Sequence, residues 1–162
     1  MEKSTIRVLV VDDYEPWHVF VSTKLQKEPE LRIIGKVFEG LDAVQQAQQL
    51  RPDLILLDIG LPRVNGIEAA RRIREVSPKS KLLFVSEDRS PDVVQEALSN
   101  GAGGYVLKSD AESELLPAVK TVLEGKRFIS AMRAGHFLVT TTVSATQTML
   151  CWMMITVISG MR

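Results

Sequence analysis

The fold is decided by a short stretch near the N-terminus, residues 6–13, which reads IRVLVVDD. Its first part, Ile6 to Val11, is almost entirely aliphatic, as is typical of a strand buried on both faces of a sheet. Two carboxylates, Asp12 and Asp13, follow at once. The stretch therefore predicts a central strand that delivers acidic groups to one edge of a sheet.

Two later runs end in charge in the same way. Leu54 to Leu57 lead into Asp58, and Tyr105 to Leu107 lead into Lys108. If these runs are parallel neighbours of the first strand, their charged groups share the crevice where open α/β sheets bind ligands. We therefore expect three acids and one ammonium group in a single site.

Apolar runs alternate with segments of helical period along the chain, and this alternation indicates βαβ crossovers. The first such segment carries Trp17, Phe20, Val21 and Leu25 on one face. We predict an α/β fold, a (βα)₅ doubly wound parallel sheet in three layers with the flavodoxin-like order 2-1-3-4-5. The predicted strands are Ile6 to Val11, Arg32 to Phe38, Leu54 to Leu57, Lys81 to Val85 and Tyr105 to Leu107.

Capping residues set the predicted helix boundaries. These are Ser90 as N-cap before Pro91, Ser109 with Glu112 as a capping box, and Gly101 and Gly125 as closing glycines.

Composition limits the function classes. The 162 residues are 45% hydrophobic, enough for one sizeable core, and twenty basic and twenty acidic residues cancel. Overall charge therefore does not indicate a nucleic-acid, membrane or acidic partner. The single cysteine, Cys151, excludes an internal disulfide, and no apolar segment precedes Ile6, so we expect a cytoplasmic protein without a secretory signal.

The C-terminal part differs in composition. Residues 134–161 contain no Asp, Glu, Lys or Arg, which predicts a boundary near residue 130. We expect one domain over residues 1–130 and an apolar, uncharged extension over 131–162 that is not a recognisable output domain. Without a basic recognition helix, direct nucleic-acid binding is not expected. Phe137 to Ser159 is long enough for a membrane span, but five threonines and Gln147 make an anchor the less favoured interpretation.

The acidic cluster predicts a divalent cation. Three carboxylates in one crevice repel one another, so Asp12, Asp13 and Asp58 imply either bound Mg²⁺ or an abnormal proton count. The alternative is that each acid merely caps a helix or loop. Lys108 can pair with Asp58 or with a phosphoryl oxygen, and Ser86 offers a hydroxyl to the same group. An aspartate that accepts phosphate forms a mixed anhydride, a known form of covalent catalysis.

The motifs that carry a family resemblance are VVDD at 10–13, LLDIGLP at 56–62, NG at 65–66, Ser86 and YVLK at 105–108. From about Ile6 to Gly125 the chain resembles the receiver domain of two-component response regulators. Residues 101–110 are similar to the NarL/LuxR subfamily, whose members usually carry a C-terminal helix-turn-helix. The resemblance implies that Asp58 is the phosphoacceptor, that Asp12, Asp13, Asp58 and the Gly60 backbone carbonyl hold Mg²⁺, that Lys108 and Ser86 contact the phosphoryl group, and that Tyr105 is the switch aromatic.

The same resemblance implies a signalling partner rather than a metabolic substrate. The phosphoryl donor would be a sensor histidine kinase, and the domain would catalyse only its own phosphotransfer and dephosphorylation. The face formed by the fourth helix, fifth strand and fifth helix would bind a partner or a second copy. Glu87 and Asp88 depart from the family pattern, since added negative charge beside a phosphate can slow phosphorylation or change its lifetime.

Two other functions of proteins with a similar fold or nucleophile fit these residues poorly. A flavodoxin-like FMN site needs a Ser/Thr/Gly-rich loop after the first strand, where acids stand instead. A haloacid-dehalogenase-type phosphatase needs Asp-x-Asp, and the position after Asp13 is Tyr14. The alternative is an interaction module that is inactive or works without phosphorylation, derived from a truncated transcriptional regulator. His18 and His136 are interpreted as ordinary surface or packing histidines, away from the site.

Overall fold

The computed structural model describes residues 4–130, and within that range the chain forms a three-layer α/β fold. A six-stranded parallel sheet has the order β2-β1-β3-β4-β5-β6, which contains the predicted order 2-1-3-4-5. The strands are β1 (Ile6–Val11), β2 (Leu31–Val37), β3 (Leu54–Leu57), β4 (Lys81–Ser86), β5 (Gly104–Leu107) and β6 (Phe128–Ile129), and the helices are α1 (Glu15–Leu25), α2 (Gly40–Leu50), α3 (Gly66–Val76), α4 (Pro91–Ser99) and α5 (Ala111–Leu123).

Two hydrophobic cores lie on opposite faces of the sheet. Successive residues of a strand point to opposite faces, and accordingly Leu9 joins one core while Val8 and Val10 join the other. The first core is completed by residues of α2, α3 and α4, and the second by residues of α1 and α5. This division confirms the predicted three layers, with helices on both faces.

The short strand β6 was not predicted. It pairs in parallel with β5, with Phe128 opposite Gly104 and Ile129 opposite Tyr105. Ser130 then fastens the end of the strand, because its hydroxyl oxygen accepts a hydrogen bond from the Leu107 amide at 2.9 Å. The strand lies along the outer edge of β5, so the fifth strand is not the edge of the sheet.

Most predicted helix boundaries are confirmed. Ser90 occupies the N-cap position before Pro91, although its side chain makes no capping hydrogen bond. Gly101 and Gly125 end their helices at φ of +83° and +80°, a conformation that glycine adopts without steric cost.

The predicted capping box of Ser109 and Glu112 is wrong. Asp110 is the N-cap of α5, and Ser109 lies in a single 3₁₀ turn, Lys108–Asp110, that precedes the helix. Glu112 is instead engaged by Lys24 of α1, whose ammonium donates to the Glu112 carbonyl at 2.9 Å and pairs with its carboxylate. Glu112 therefore takes part in a tertiary contact between α1 and α5 rather than in a capping box.

The predicted boundary near residue 130 and the extension 131–162 lie outside the described residues and stay predictions. Between residues 4 and 130, no helix combines the length and apolarity needed to cross a membrane.

Candidate functional site

Three carboxylates meet at the C-terminal edge of the sheet. Asp12 follows β1 and its amide donates to the Val37 carbonyl at 2.9 Å, while the Asp58 amide donates to the Val11 carbonyl at 2.9 Å. One carboxylate oxygen from each of Asp12, Asp13 and Asp58 lies within 4.8 Å of the others. The structure thus brings together the three acids that the sequence placed in one crevice, with Asp12 and Asp58 buried and Asp13 exposed.

None of these acids serves as the cap of α1. The N-cap residue is Tyr14, whose side chain makes no capping hydrogen bond. Asp12 Oδ1 accepts a hydrogen bond from the Tyr14 amide at 2.9 Å, which closes the turn before the helix. Asp58 Oδ1 accepts one from the Ile59 amide at 2.8 Å. Each of these two buried carboxylates therefore has one oxygen bound to the main chain and one facing the crevice.

Lys108 supplies the ammonium group of the site. Its Nζ lies 2.6 Å from Asp12 Oδ2 and 3.4 Å from Asp58 Oδ2. The sequence predicted a pair with Asp58, whereas the shorter contact is to Asp12. Burial disfavours the charged amine, but the hydrogen bond to Asp12 and the charge of Asp58 together raise the pKa of Lys108 above its ordinary value. The lysine is therefore cationic at neutral pH.

The pKa of Asp58 is raised above its ordinary value. Burial is the main cause, since only 7% of the residue is exposed, and the Asp12 carboxylate acts in the same direction. The Lys108 ammonium and the amides of Ile59 and Gly60 oppose the shift without cancelling it. An added positive charge in the crevice would favour the ionised carboxylate.

Ser86 and Tyr105 both contact the loop between β4 and α4. The Ser86 hydroxyl accepts a hydrogen bond from the Asp88 amide at 3.2 Å, and the Tyr105 hydroxyl donates to the Asp88 carbonyl at 2.8 Å. Tyr105 is buried, with 1% of its surface exposed, and this burial raises the pKa of its phenol. The two side chains come from the neighbouring strands β4 and β5 and hold the same residue, Asp88.

Two glycines shape the loop after β3. A Cβ on Gly60 would lie 3.6 Å from Asp58 Oδ2, so the main chain at Gly60 is in contact distance of the carboxylate. A Cβ on Gly66 would lie 1.9 Å from the Asp58 carbonyl oxygen, and only glycine avoids this clash. Asn65 caps α3 by accepting a hydrogen bond from the Glu68 amide at 2.9 Å. The Asn-Gly pair therefore packs the start of α3 directly against Asp58.

His18 is a residue of this region that the sequence interpretation missed. The expectation that it lies away from the site is wrong, because the ring is 0% exposed and its Nε2 lies 2.8 Å from the Asp12 carbonyl oxygen. A signal was present in the sequence: His18 lies three and seven residues before Val21 and Leu25, on the face of α1 that is buried. His136 lies outside the described residues.

Trp17 is the second missed residue. Its ring centroid lies 5.1 Å from Lys108 Nζ, within the range of a cation–π contact. Trp17 and Lys108 line an open groove of about 480 Å³ beside the acids. The other lining residues are Tyr14, Glu87, Arg89 and Ser109.

The donor set of the crevice fits Mg²⁺. Three carboxylates face a single ammonium, which leaves negative charge uncompensated, and Mg²⁺ binds one or two protein carboxylates while keeping several waters. The buried Asp12 Oδ2 is paired with the Lys108 ammonium at 2.6 Å, and oxygens of Asp13 and Asp58 converge on the same point. Carboxylate oxygens that converge in this way are the arrangement expected of a hard-cation site.

Comparison with known proteins agrees with this geometry. The response regulator receiver domain family model matches residues 8–120. Transcriptional regulatory protein DegU of Brevibacillus brevis is 33% identical over 129 residues, which cover 80% of this chain and 55% of DegU. Response regulator GacA of Pseudomonas viridiflava is 31% identical over 125 residues, or 77% of this chain and 58% of GacA. The chain thus spans little more than half the length of these relatives.

Solved structures give the same family. A LuxR-family two-component response regulator from Aurantimonas is similar at a TM-score of 0.75 and 28% identity, with 79% of this chain and 91% of that one covered. The signal receiver domain of the putative response regulator NarL from Mycobacterium tuberculosis is similar at a TM-score of 0.71 and 28% identity, with 76% and 99% covered. Since the family model spans more than half of the chain, the chain belongs to the response regulator receiver domain family, among relatives of the NarL/LuxR type.

Proposed function

We propose that this domain accepts a phosphoryl group on Asp58 from the phosphohistidine of a sensor histidine kinase, in a step that requires Mg²⁺. The observation that carries the proposal is the grouping of Asp58 with Asp12, Asp13 and Lys108 at one sheet edge. Membership of the receiver family supports the reaction class. An assignment to the cytoplasm, where such kinases act on their receivers, belongs to the same proposal.

The chemistry needs a carboxylate oxygen that can reach phosphorus. Asp58 Oδ1 is bound by the Ile59 amide, and Oδ2 faces Lys108 at 3.4 Å. In the proposed step a bond forms between an Asp58 oxygen and phosphorus, the P–N bond to the kinase histidine breaks, and the imidazole leaves with the bonding electron pair. Lys108 would then turn from the carboxylates to a phosphoryl oxygen.

Asp12, Asp13 and Asp58, with the Gly60 carbonyl, would hold Mg²⁺. The ion would supply positive charge to the phosphoryl oxygens, which the three carboxylates of the crevice otherwise repel. Burial raises the pKa of the Asp58 carboxyl. The charge of the ion would oppose this effect and favour the ionised form, which is the form that attacks phosphorus.

The response to phosphorylation would pass through the β4–α4 loop. Ser86 and Tyr105 both bind Asp88, so a Ser86 hydroxyl drawn to a phosphoryl oxygen would release the Asp88 amide. We propose that this biases the face of α4, β5 and α5 between two packings, and that this face binds a partner or a second copy. Strand β6 borders β5 and would belong to the same face.

One experiment tests acceptor, metal and residue together. Intact-protein mass is measured after incubation with acetyl phosphate, with and without Mg²⁺, for the wild type, Asp58→Asn and the exposed control Asp42→Asn. A gain of one phosphoryl group that needs Mg²⁺ and is lost only in Asp58→Asn is expected. Uptake by Asp58→Asn would move the acceptor elsewhere, and no uptake by the wild type would favour an interaction module that works without phosphorylation.

A further inference from the structure

We propose that His18 is a positioning residue for the metal site: it fixes the main chain at Asp12 so that the carboxylates of Asp12 and Asp13 face the crevice before Mg²⁺ arrives. The inference rests on the proposed function, because it concerns the same cation. His18 itself does not contact the cation or the phosphoryl group.

The contact that carries the inference is a hydrogen bond from a buried ring to a main-chain carbonyl. His18 Nε2 lies 2.8 Å from the Asp12 carbonyl oxygen, and a carbonyl only accepts, so Nε2 carries the hydrogen. The pairing of β1 with β2 ends at Val11 opposite Val37, just before this carbonyl. The ring of His18 therefore takes the place of a strand partner beyond the end of the ladder.

With this bond, every polar group of Asp12 is held. Its amide donates to Val37, its Oδ1 accepts from the Tyr14 amide and its Oδ2 faces the Lys108 ammonium. Among these contacts, His18 supplies the one hydrogen bond from a side chain to the main chain of Asp12. Because the carbonyl belongs to the peptide that leads into Asp13, the same bond also orients the second acid.

The ring is itself held in place by packing. The centroid of the His18 ring lies 4.7 Å from that of Phe38, which follows β2, so the ring extends from α1 and packs against the end of that strand. His18 is 0% exposed, and a side chain that is buried and stacked loses little entropy on making its bond. The hydrogen bond therefore acts on a preorganised donor.

A packing role alone does not account for a histidine here. Within the described residues, the buried His18 Nδ1 has no hydrogen-bond partner, and leaving a buried polar atom unpaired is unfavourable. A leucine of similar size would fill the space beside Val21 and Leu25 without that cost. Leucine cannot supply the hydrogen bond from Nε2 to the Asp12 carbonyl. The free energy of that bond offsets the cost of leaving Nδ1 without a partner.

The test compares variants that keep or remove the donor. His18→Leu removes it, and His18→Gln keeps an amide donor near the position of Nε2. Val21→Ala, at a buried position of α1 in the second core, removes packing but no hydrogen-bonding group. Mg²⁺ affinity is measured by following the Asp13 and Asp58 amide resonances during titration with MgCl₂, and thermal unfolding is recorded for each variant without metal.

We expect His18→Leu to weaken Mg²⁺ binding about five-fold, the loss of roughly one hydrogen bond of about 1 kcal/mol. His18→Gln should recover most of that loss, and Val21→Ala should keep the wild-type affinity even where its unfolding temperature falls. If His18→Leu does not fold, His18→Met, with a flexible apolar side chain, provides the same comparison.

Two results would overturn the inference while leaving the proposed function in place. Wild-type affinity in His18→Leu would show that the bond does not position the ligands. Equal weakening in Val21→Ala would show that the effect follows stability rather than the donor. Failure of the wild-type protein to bind Mg²⁺ at all would overturn both the proposed function and the role of His18.

Discussion

Asp58 is surrounded by groups of both signs, and their balance decides how readily the carboxyl ionises. Burial and the Asp12 carboxylate raise its pKa, while the Lys108 ammonium lowers it. The net direction is upward from an ordinary value of 3.8, so the folded protein favours the protonated form more than the unfolded chain does. Metal-free protein therefore loses stability by holding this acid in the ionised state.

The first residue-scale prediction follows from the sign of that shift. A raised carboxyl pKa contributes stability that is fully present below the unfolded pKa of 3.8 and is lost as pH rises through the folded pKa. In EDTA at neutral pH, Asp58→Asn should therefore unfold at a higher temperature than the wild type. The difference should shrink as pH falls towards 3.8. Melting curves over this pH range, with the exposed Asp42→Asn as control, provide the measurement; a difference independent of pH would contradict the explanation.

Lys108→Ala gives a second prediction at the same scale. Removing the ammonium leaves buried carboxylates without their cation, which should cost about 3 kcal/mol of stability in metal-free protein. Mg²⁺ affinity should be retained, because the competing ammonium is gone, while phosphoryl uptake from acetyl phosphate should be slower. The matched control is Lys126→Ala, whose side chain is 72% exposed and pairs with the exposed Glu124 at 2.9 Å. Loss of Mg²⁺ binding in Lys108→Ala would contradict the role given to the lysine.

At the residue scale, the sequence identified the charged groups because each one ends an apolar run. Asp12, Asp58 and Lys108 could be placed together once the runs were assigned to parallel strands. The closer pairing of Lys108 with Asp12 than with Asp58 could not be predicted, since the two distances from its ammonium, 2.6 Å and 3.4 Å, differ by so little. His18 was missed because its bond reaches back six residues across a turn whose shape is not a local property.

At the scale of elements, the strands buried on both faces were the easiest to predict. The observed bounds of β1 and β3 coincide with the predicted ones, because continuous aliphatic runs end sharply at charged residues. Strand β6 was not predictable in this way, since Phe128 and Ile129 become a strand only by pairing with β5. Ser109 is not the cap of α5 because it lies in the 3₁₀ turn Lys108–Asp110, and Glu112 is paired with Lys24 of α1.

An element-scale prediction concerns the attachment of β6. Ser130 is 2% exposed, accepts a hydrogen bond from the Leu107 amide and donates one to the Glu114 carboxylate. Ser130→Ala leaves that amide and carboxylate without this partner, so we expect a loss of about 1–2 kcal/mol in the free energy of unfolding. Amide hydrogen exchange at Leu107 should become faster.

The control for this change is Ser113→Ala, which removes an exposed hydroxyl that donates to the Asp110 carbonyl at 3.2 Å. It should leave both stability and exchange at Leu107 close to the wild type. Unchanged exchange at Leu107 in Ser130→Ala would mean that main-chain hydrogen bonds, including that from the Ser130 amide to the Tyr105 carbonyl at 2.8 Å, are enough to hold β6.

For the whole molecule, the sequence predicted the class, the strand order and the layers because these follow from alternation of strands and helices. Both cores use strand residues that alternate between faces, so the periodicities of the sequence already contained the three-layer arrangement. Residues 1–131 make a compact unit through their own contacts. The boundary itself remains a prediction from composition.

The molecule-scale prediction is that a chain ending at Ala131 keeps the properties of the receiver. It should show the same unfolding temperature, Mg²⁺ affinity and phosphoryl uptake as the 162-residue chain, because residues 4–130 contain the two described cores. Calorimetry and the acetyl phosphate assay on the two proteins provide the comparison. A lower unfolding temperature in the shorter protein would show that residues 132–162 stabilise the receiver.

The contact between Trp17 and Lys108 gives the protein an optical reporter of its own chemistry. An indole 5.1 Å from an ammonium senses that charge in its excited state, so its emission should change when the lysine turns from Asp12 to a phosphoryl group. The 162-residue chain also contains Trp152, but a chain ending at Ala131 has Trp17 as its one tryptophan. In that chain, stopped-flow fluorescence would follow phosphorylation and its decay in real time, without any attached dye.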